Sequence, residues 1–189
     1  MLIRKLFKYE SSHQVFDAFS RRCSHSVHGH SYVVEFIFEG NVPDKAHMVM
    51  DFGFVKQYFH PFVDAFDHSH ILWGDNRFTE SNNFFEKNNE RWISLPFNST
   101  AEMQAKMFFT YGYWALRELR SRSLINGSVV MSSVKVHETD TGYAEFRDAD
   151  YHSCQFPKID LNDIVLSPGV TQEWKVNFAE FYHDVVKGC

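Results

Sequence analysis

Residues 28–40 read His28-Gly29-His30-Ser31-Tyr32-Val33-Val34-Glu35-Phe36-Ile37-Phe38-Glu39-Gly40. In an extended chain successive side chains point to opposite faces. His28, His30, Tyr32, Val34, Phe36 and Phe38 then share one face, and Glu35 and Glu39 fall on the other. A strand is expected here, half apolar and headed by two histidines. Gly40 and the Asn-Val-Pro-Asp-Lys that follows mark a turn. Upstream, residues 2–9 mix apolar and charged side chains in an extended pattern. A hairpin would pair that strand with the His28 strand and bring His13, at its end, beside the other two histidines.

Working outward from this strand, residues 51–66 place Phe52, Val55, Phe59, Phe62, Val63 and Phe66 at helical spacing. Pro61 interrupts that pattern, so a kink or an early end is expected. Residues 73–96 are polar, rich in Asn and Glu, and read as a partly helical insertion. Ser99-Thr100-Ala101-Glu102 matches a capping box. A long helix to about Ser121 should follow, with Met103, Met107, Tyr111, Trp114 and Leu119 inward. Asn126-Gly127 is a turn signal. Residues 128–138 alternate as a strand with Val130, Val134 and Val136 on one parity. Thr141-Gly142 turns into a short strand over 143–147. The tail, 156–189, holds a Pro-Gly turn and a helical pattern over 172–186. The order ββααββ predicts an α+β fold: a four-stranded antiparallel sheet with two helices on one face. The 189 residues suit a single domain, decorated by the 73–96 insertion and the 156–189 extension.

Composition narrows the function. The formal net charge of -5 argues against a general affinity for nucleic acid or an anionic membrane. No apolar run is long enough to span a bilayer, and the N-terminus lacks a signal-peptide core. Three cysteines make no disulfide framework, and a reducing cytoplasm is the expected compartment. Five of the 11 histidines fall within the first 47 residues.

Zinc favours imidazole and thiolate ligands, and catalytic zinc keeps one of four positions open. His28 and His30 project from one strand face within reach of a single ion. That spacing arises often by chance, and His13 alone reads equally as a polar strand end. Cys23, five residues before His28, leaves two readings open. As a fourth ligand it would close the site and make it structural. As a thiolate activated by the cation and by Arg21 and Arg22, it would be a base beside an open site. A small buried apolar residue is the plain alternative.

Taken in order, several motifs resemble one family. Tyr9-Glu10-Ser11-Ser12-His13, Cys23 and His28-Gly29-His30-Ser31-Tyr32 are similar to the signature of the 6-pyruvoyl-tetrahydropterin synthase family. That family includes the 6-carboxy-tetrahydropterin synthases of queuosine biosynthesis. Met48-Val49-Met50-Asp51-Phe52, Phe66-Asp67-His68, Ser99-Thr100-Ala101-Glu102 and Val136-His137-Glu138-Thr139 extend the resemblance across residues 3–147. The chain departs from the pattern in places. Ser99 stands where a Pro is usual, the Asn expected after the Asp-His stretch is missing, and 73–96 and 156–189 lie beyond the family core.

The resemblance implies a T-fold (tunnelling fold), a homohexamer with active sites between subunits, and a role for each matching residue. His13, His28 and His30 would ligate Zn2+. Cys23 would be the base or proton shuttle, with Asp67 and His68 as its partner pair. Glu138 would anchor a pterin ring, whose adjacent N–H donors one carboxylate can accept side by side. Alone, Glu138 reads as a solvated strand end, and Asp67-His68 as helix-end polarity. Thr100 and Glu102 would reach a neighbouring site, although capping explains both. Arg21 and Arg22 are the nearest charges for a triphosphate, and read equally as solvated loop residues.

The implied substrate is 7,8-dihydroneopterin triphosphate. The leading expectation is a 6-carboxy-5,6,7,8-tetrahydropterin synthase, a lyase releasing acetaldehyde and triphosphate. The short Cys-to-His loop and the long-insert form favour it. The runner-up is 6-pyruvoyl-tetrahydropterin synthase, and a non-catalytic zinc protein is the alternative of another class.

Overall fold

The computed structural model describes residues 1–41, 44–153, 155 and 157–189. Residues 42 and 43 of the turn expected after Gly40, together with Cys154 and Phe156, lie outside the described residues. The hairpin forms as expected. Strand β1 (Leu2–His13) pairs antiparallel with β2 (His28–Glu39), in a register that sets His13 opposite His28. The short helix α1 (Arg21–Ser24) lies in the connection.

The sheet is larger than predicted. Among the described residues it has seven strands, in the order β6-β5-β2-β1-β3-β4-β7. The expected antiparallel four are β6 (Gly142–Arg147), β5 (Val130–Thr139), β2 and β1. Beyond β1 lie β3 (Ser69–Trp73) and β4 (Trp92–Leu95), both parallel, then β7 (Val165–Leu166), antiparallel. Strands of five, four and two residues are too short for alternation to register in the sequence. What makes them strands is pairing outward from the free edge of β1, β3 on β1, β4 on β3 and β7 on β4, with partners from far along the chain.

The predicted helix over 51–66 is two: α2 (Phe52–Tyr58) and α3 (His60–Asp64). Asp51 Oδ1 caps the first by accepting from Gly53 N at 2.6 Å. Pro61 sits in the first turn of the second, where no helical N–H is required. The insertion contributes α4 (Thr79–Asn88) and β4. The long helix α5 (Ala101–Ser121) buries Met107, Tyr111 and Leu119, while Met103 and Trp114 are half-buried. At Gly112 a Cβ would stand 2.3 Å from Met131 Cε, so α5 lies hard against β5. The tail folds as α6 (Asp148–His152), β7, α7 (Pro168–Thr171) and α8 (Val176–Gly188).

The apolar side of the sheet meets α3 and α5 through an aromatic core that includes Phe36, Phe59, Phe62, Phe66 and Phe108. A register shift in β5 between its pairings with Ile37 and Phe38 turns Val130 outward, against the predicted parity, and puts Met131 in the core beside Val134 and Val136. The opposite sheet side is open, and Leu2 and Leu6 are exposed there. No helix among the described residues is long and apolar enough to cross a membrane.

Candidate metal and pterin site

The hairpin register brings His13, His28 and His30 to one point on the helix-bearing side of the sheet. Their ligand atoms all lie within 4.8 Å of one another. His13 is fully buried. Its Nδ1 lies 3.0 Å from the Ser99 carbonyl and 3.2 Å from Ser99 Oγ. A carbonyl only accepts, so Nδ1 carries the proton and Nε2 keeps its lone pair. His28 is fixed the same way, with Nδ1 3.0 Å from the Ser26 carbonyl. His30 Nε2 is buried with no hydrogen-bond partner. A buried polar atom left unpaired is costly. One ion would satisfy this atom and the two Nε2 lone pairs together, so the residues fit a metal.

Burial pushes the His13 imidazole down to about 4, and His28 and His30 push the same way against the Ser99 carbonyl. Burial also lowers His30, against the pull of Glu138. Uncharged imidazoles are the form that binds metal. Glu138, on β5, puts Oε1 3.7 Å from His13 Nε2 and 3.9 Å from His30 Nε2. Tyr32 OH lies 3.3 Å from both His13 ring nitrogens and donates to Glu138 Oε1 at 3.5 Å. Burial, and after it the Glu138 charge, hold the Tyr32 hydroxyl well above its ordinary range.

The capping box expected at Ser99 is shifted by one residue. Thr100 is the N-cap, its Oγ1 accepting from Met103 N at 3.3 Å, so Glu102 does not close a box. Two side chains are freed. Ser99 turns to His13, and Glu102 lines a cleft of about 210 Å³ with Glu138, Thr139 and Tyr143. Thr100 is occupied by capping. Ser99 and Tyr32 were missed as functional residues in the sequence. Tyr32 was legible there as the same-face neighbour of His30. Ser99 was not, because its partner is 86 residues away. Gln104 was missed too: it is buried, donates to the Ser99 carbonyl at 3.1 Å and accepts from Tyr9 OH.

Cys23 is half-buried in α1 and is not among the clustered ligands. Arg21 and Arg22, in the same helix, are exposed. Asp67 and His68 form a pair, His68 Nδ1 lying 2.8 Å from Asp67 Oδ2. Glu10 N donates to Asp67 Oδ1 at 2.7 Å, and His68 N donates to the Glu10 carbonyl at 2.7 Å. Partial burial raises the Asp67 carboxyl, but the Glu10 amide, His68 and Arg91 together hold it below the usual range. His68 lines an open hollow with Glu10, Ser12, Ser31 and His70. Glu10 and Ser12 have the opposite parity to His13, so this hollow opens on the other sheet side. One chain brings together the three histidines and Glu138, and leaves Asp67-His68 apart from them.

The family model for 6-pyruvoyl tetrahydropterin synthase matches residues 2–149. The chain belongs to that family. It is 35% identical over 190 residues to a 6-carboxy-5,6,7,8-tetrahydropterin synthase of Helicobacter pylori strain J99, covering 98% of this chain and 92% of the relative. The fold is similar to an uncharacterized protein of Wolinella succinogenes (TM-score 0.61, 21% identity, 78% of this chain and 98% of that one). It is also similar to the 6-pyruvoyl tetrahydropterin synthase of Caenorhabditis elegans (TM-score 0.50, 21% identity, 78% and 94%). This family member is therefore an α+β tetrahydropterin synthase relative of the T-fold kind, with more chain than those two structures and about as much as the Helicobacter protein.

Proposed function

We propose that the protein is a zinc-dependent 6-carboxy-5,6,7,8-tetrahydropterin synthase acting on 7,8-dihydroneopterin triphosphate in queuosine biosynthesis. The observation that carries the reading is the three-histidine cluster with its unpaired His30 Nε2, set beside Glu138. The Helicobacter relative, named for this activity and matched over nearly the whole chain, supports the choice of product.

In this reading His13, His28 and His30 hold the zinc. When bound, the ion supplies a Lewis acid that acidifies the substrate's side-chain hydroxyls. Glu138 accepts two pterin N–H groups, and the Glu102 side of the cleft borders the ring. Cys23 carries protons to and from the side-chain carbons. Asp67 holds the His68 imidazole by Nδ1 and stabilises its charged form, leaving Nε2 to exchange a proton. Arg21 and Arg22 offer positive charge to the triphosphate; Thr100 supports the site as a cap.

Because Asp67-His68 stands on the other sheet side, a complete site takes this pair from a second copy of the chain. A homo-oligomer, with the hexamer as the family form, meets that need. In each copy the chain is one domain carrying its insertion and extension. Cytoplasmic location follows from the pathway. The separation of Cys23 from the cluster favours an open site over a closed structural one.

Incubation with dihydroneopterin triphosphate should release acetaldehyde. A pyruvoyl product without acetaldehyde would replace this reading by the runner-up. Cys23→Ala should keep its zinc and lose turnover; loss of zinc would make the site structural.

A further inference from the structure

Arg91 belongs to the polar insertion and stands immediately before β4, where its backbone carbonyl accepts from His70 N at 3.2 Å. Its side chain is largely buried. Nε donates to the Asp67 carbonyl at 3.0 Å, and Nη2 to the carbonyls of Asp64 at 3.1 Å and Ala65 at 3.3 Å. Those three carbonyls belong to the end of α3 and to the turn between it and β3, the turn that carries Asp67 and His68. Nη1 is 2.7 Å from Glu173 Oε2, close for an ion pair though poorly aligned for a hydrogen bond.

The turn needs such a hold. His68 has φ of 54°, the left-handed region that a branched-free but bulky side chain seldom adopts. Its imidazole is exposed and is held by Asp67 through Nδ1. From one side β1 grips the turn through Glu10, Ser69 Oγ bonds back to the Ala65 carbonyl at 2.7 Å, and from the other side the Arg91 fork reaches it. The fork is planar, so three carbonyls fix it as one lysine ammonium could not. Its own support comes from the C-terminal extension. Trp92 N donates to Ser167 Oγ at 3.1 Å, Ser167 N donates to the Trp92 carbonyl at 3.0 Å, and a Cβ on Gly169 would stand 2.3 Å from the Glu90 carbonyl.

We propose that Arg91 is a positioning residue: seated by Glu173, its guanidinium clamps the Asp64, Ala65 and Asp67 carbonyls and so fixes the orientation of the Asp67-His68 pair. The insertion and the extension thereby act on turnover without touching substrate. The proposal rests on the role given above to Asp67 and His68.

The test uses the zinc-loaded full chain and triphosphate release, a step common to both pterin chemistries. Arg91→Ala should lower kcat by about 10–100-fold, the cost of slight misplacement of a catalytic group, with KM and zinc content unchanged. A cavity of about 530 Å³, lined in part by Arg91, Asp64 and Glu173, gives guanidinium ion a path to the vacated place. Added guanidinium should restore most of the Arg91→Ala rate and none of the His68→Ala rate. Arg91→Lys should be slowed without responding to guanidinium, and Glu173→Gln slowed a few-fold. An inactive His68→Ala beside Arg91→Ala at the wild-type kcat overturns the proposal alone, as does a loss that guanidinium leaves in place. Full activity in His68→Ala overturns the role of the pair, and the proposal with it. If Arg91→Ala fails to fold, wild-type kcat in both Arg91→Lys and Glu173→Gln overturns the proposal, and a lowered kcat at unchanged KM upholds it.

Discussion

The two halves of the sheet hold their polar side chains by different means. On the β2 side, His13, His28 and His30 stand on a long hairpin whose register alone places them. His13 and His28 are oriented by backbone carbonyls, with the Ser99 hydroxyl also beside His13. On the β3 side, Asp67-His68 stands on a turn between short elements, exposed, and gripped from Glu10 and Arg91. The first half is held by its strand register and by the burial of His13. The second must be rigid while open, and recruits chain from the insertion and extension to be so.

The comparison breaks most sharply if the hairpin half is not the metal half. His28→Ala or His30→Ala should lose bound zinc and about three orders of magnitude in rate, matching the several kcal/mol a Lewis-acid metal contributes. Elemental analysis with turnover checks this. On the turn half, His68→Ala should cost about 10²–10⁴-fold in kcat with zinc retained. If, as proposed, the two halves of one site come from different copies, mixing inactive His28→Ala with inactive His68→Ala subunits should restore part of the activity. No recovery would place the whole site in one chain. Ser99→Ala should weaken zinc binding about tenfold, the low end for a lost outer partner, because the carbonyl remains; competition with a chelating dye measures it.

The smallest effect concerns pH. Burial holds His70 down to about 4 from its ordinary 6.5. Between those values the unfolded chain takes up a proton that the folded chain refuses. The stability His70 contributes is full above about pH 6.5 and is lost as pH falls toward 4. Metal-free protein should therefore melt at lower temperature as pH drops through this window. His70→Asn should reduce the dependence and leave the share of His13, which burial also holds down to about 4, and thermal melts at several pH values would register the difference.

The same contrast explains what the sequence made legible. Twelve-residue strands announce themselves by alternation, so β1, β2 and the pairing of His13 with His28 could be read from residue order. Phe59 and Phe62 kept helical spacing, and Pro61 flagged the break. The strands β3, β4 and β7 left no such trace, because partners supplied by distant chain make them strands. The cap at Thr100 was off by one residue for a related reason. Ser99, Thr100 and Glu102 fit a local motif, and the pull of His13 on Ser99 is not local. Arg91 read as one charge in a polar stretch; its carbonyl partners lie 24–27 residues away.

A strand of two residues has a consequence out of proportion to its length. Val165 and Leu166 close the outer rim of the sheet by pairing with Ser94 and Ile93. Uncovered, β4 would offer a row of unsatisfied amides and carbonyls to any passing extended chain, the usual seed of edge-to-edge aggregation. The extension that seats Arg91 thus also keeps that rim from recruiting strangers, and one short piece of backbone serves both ends.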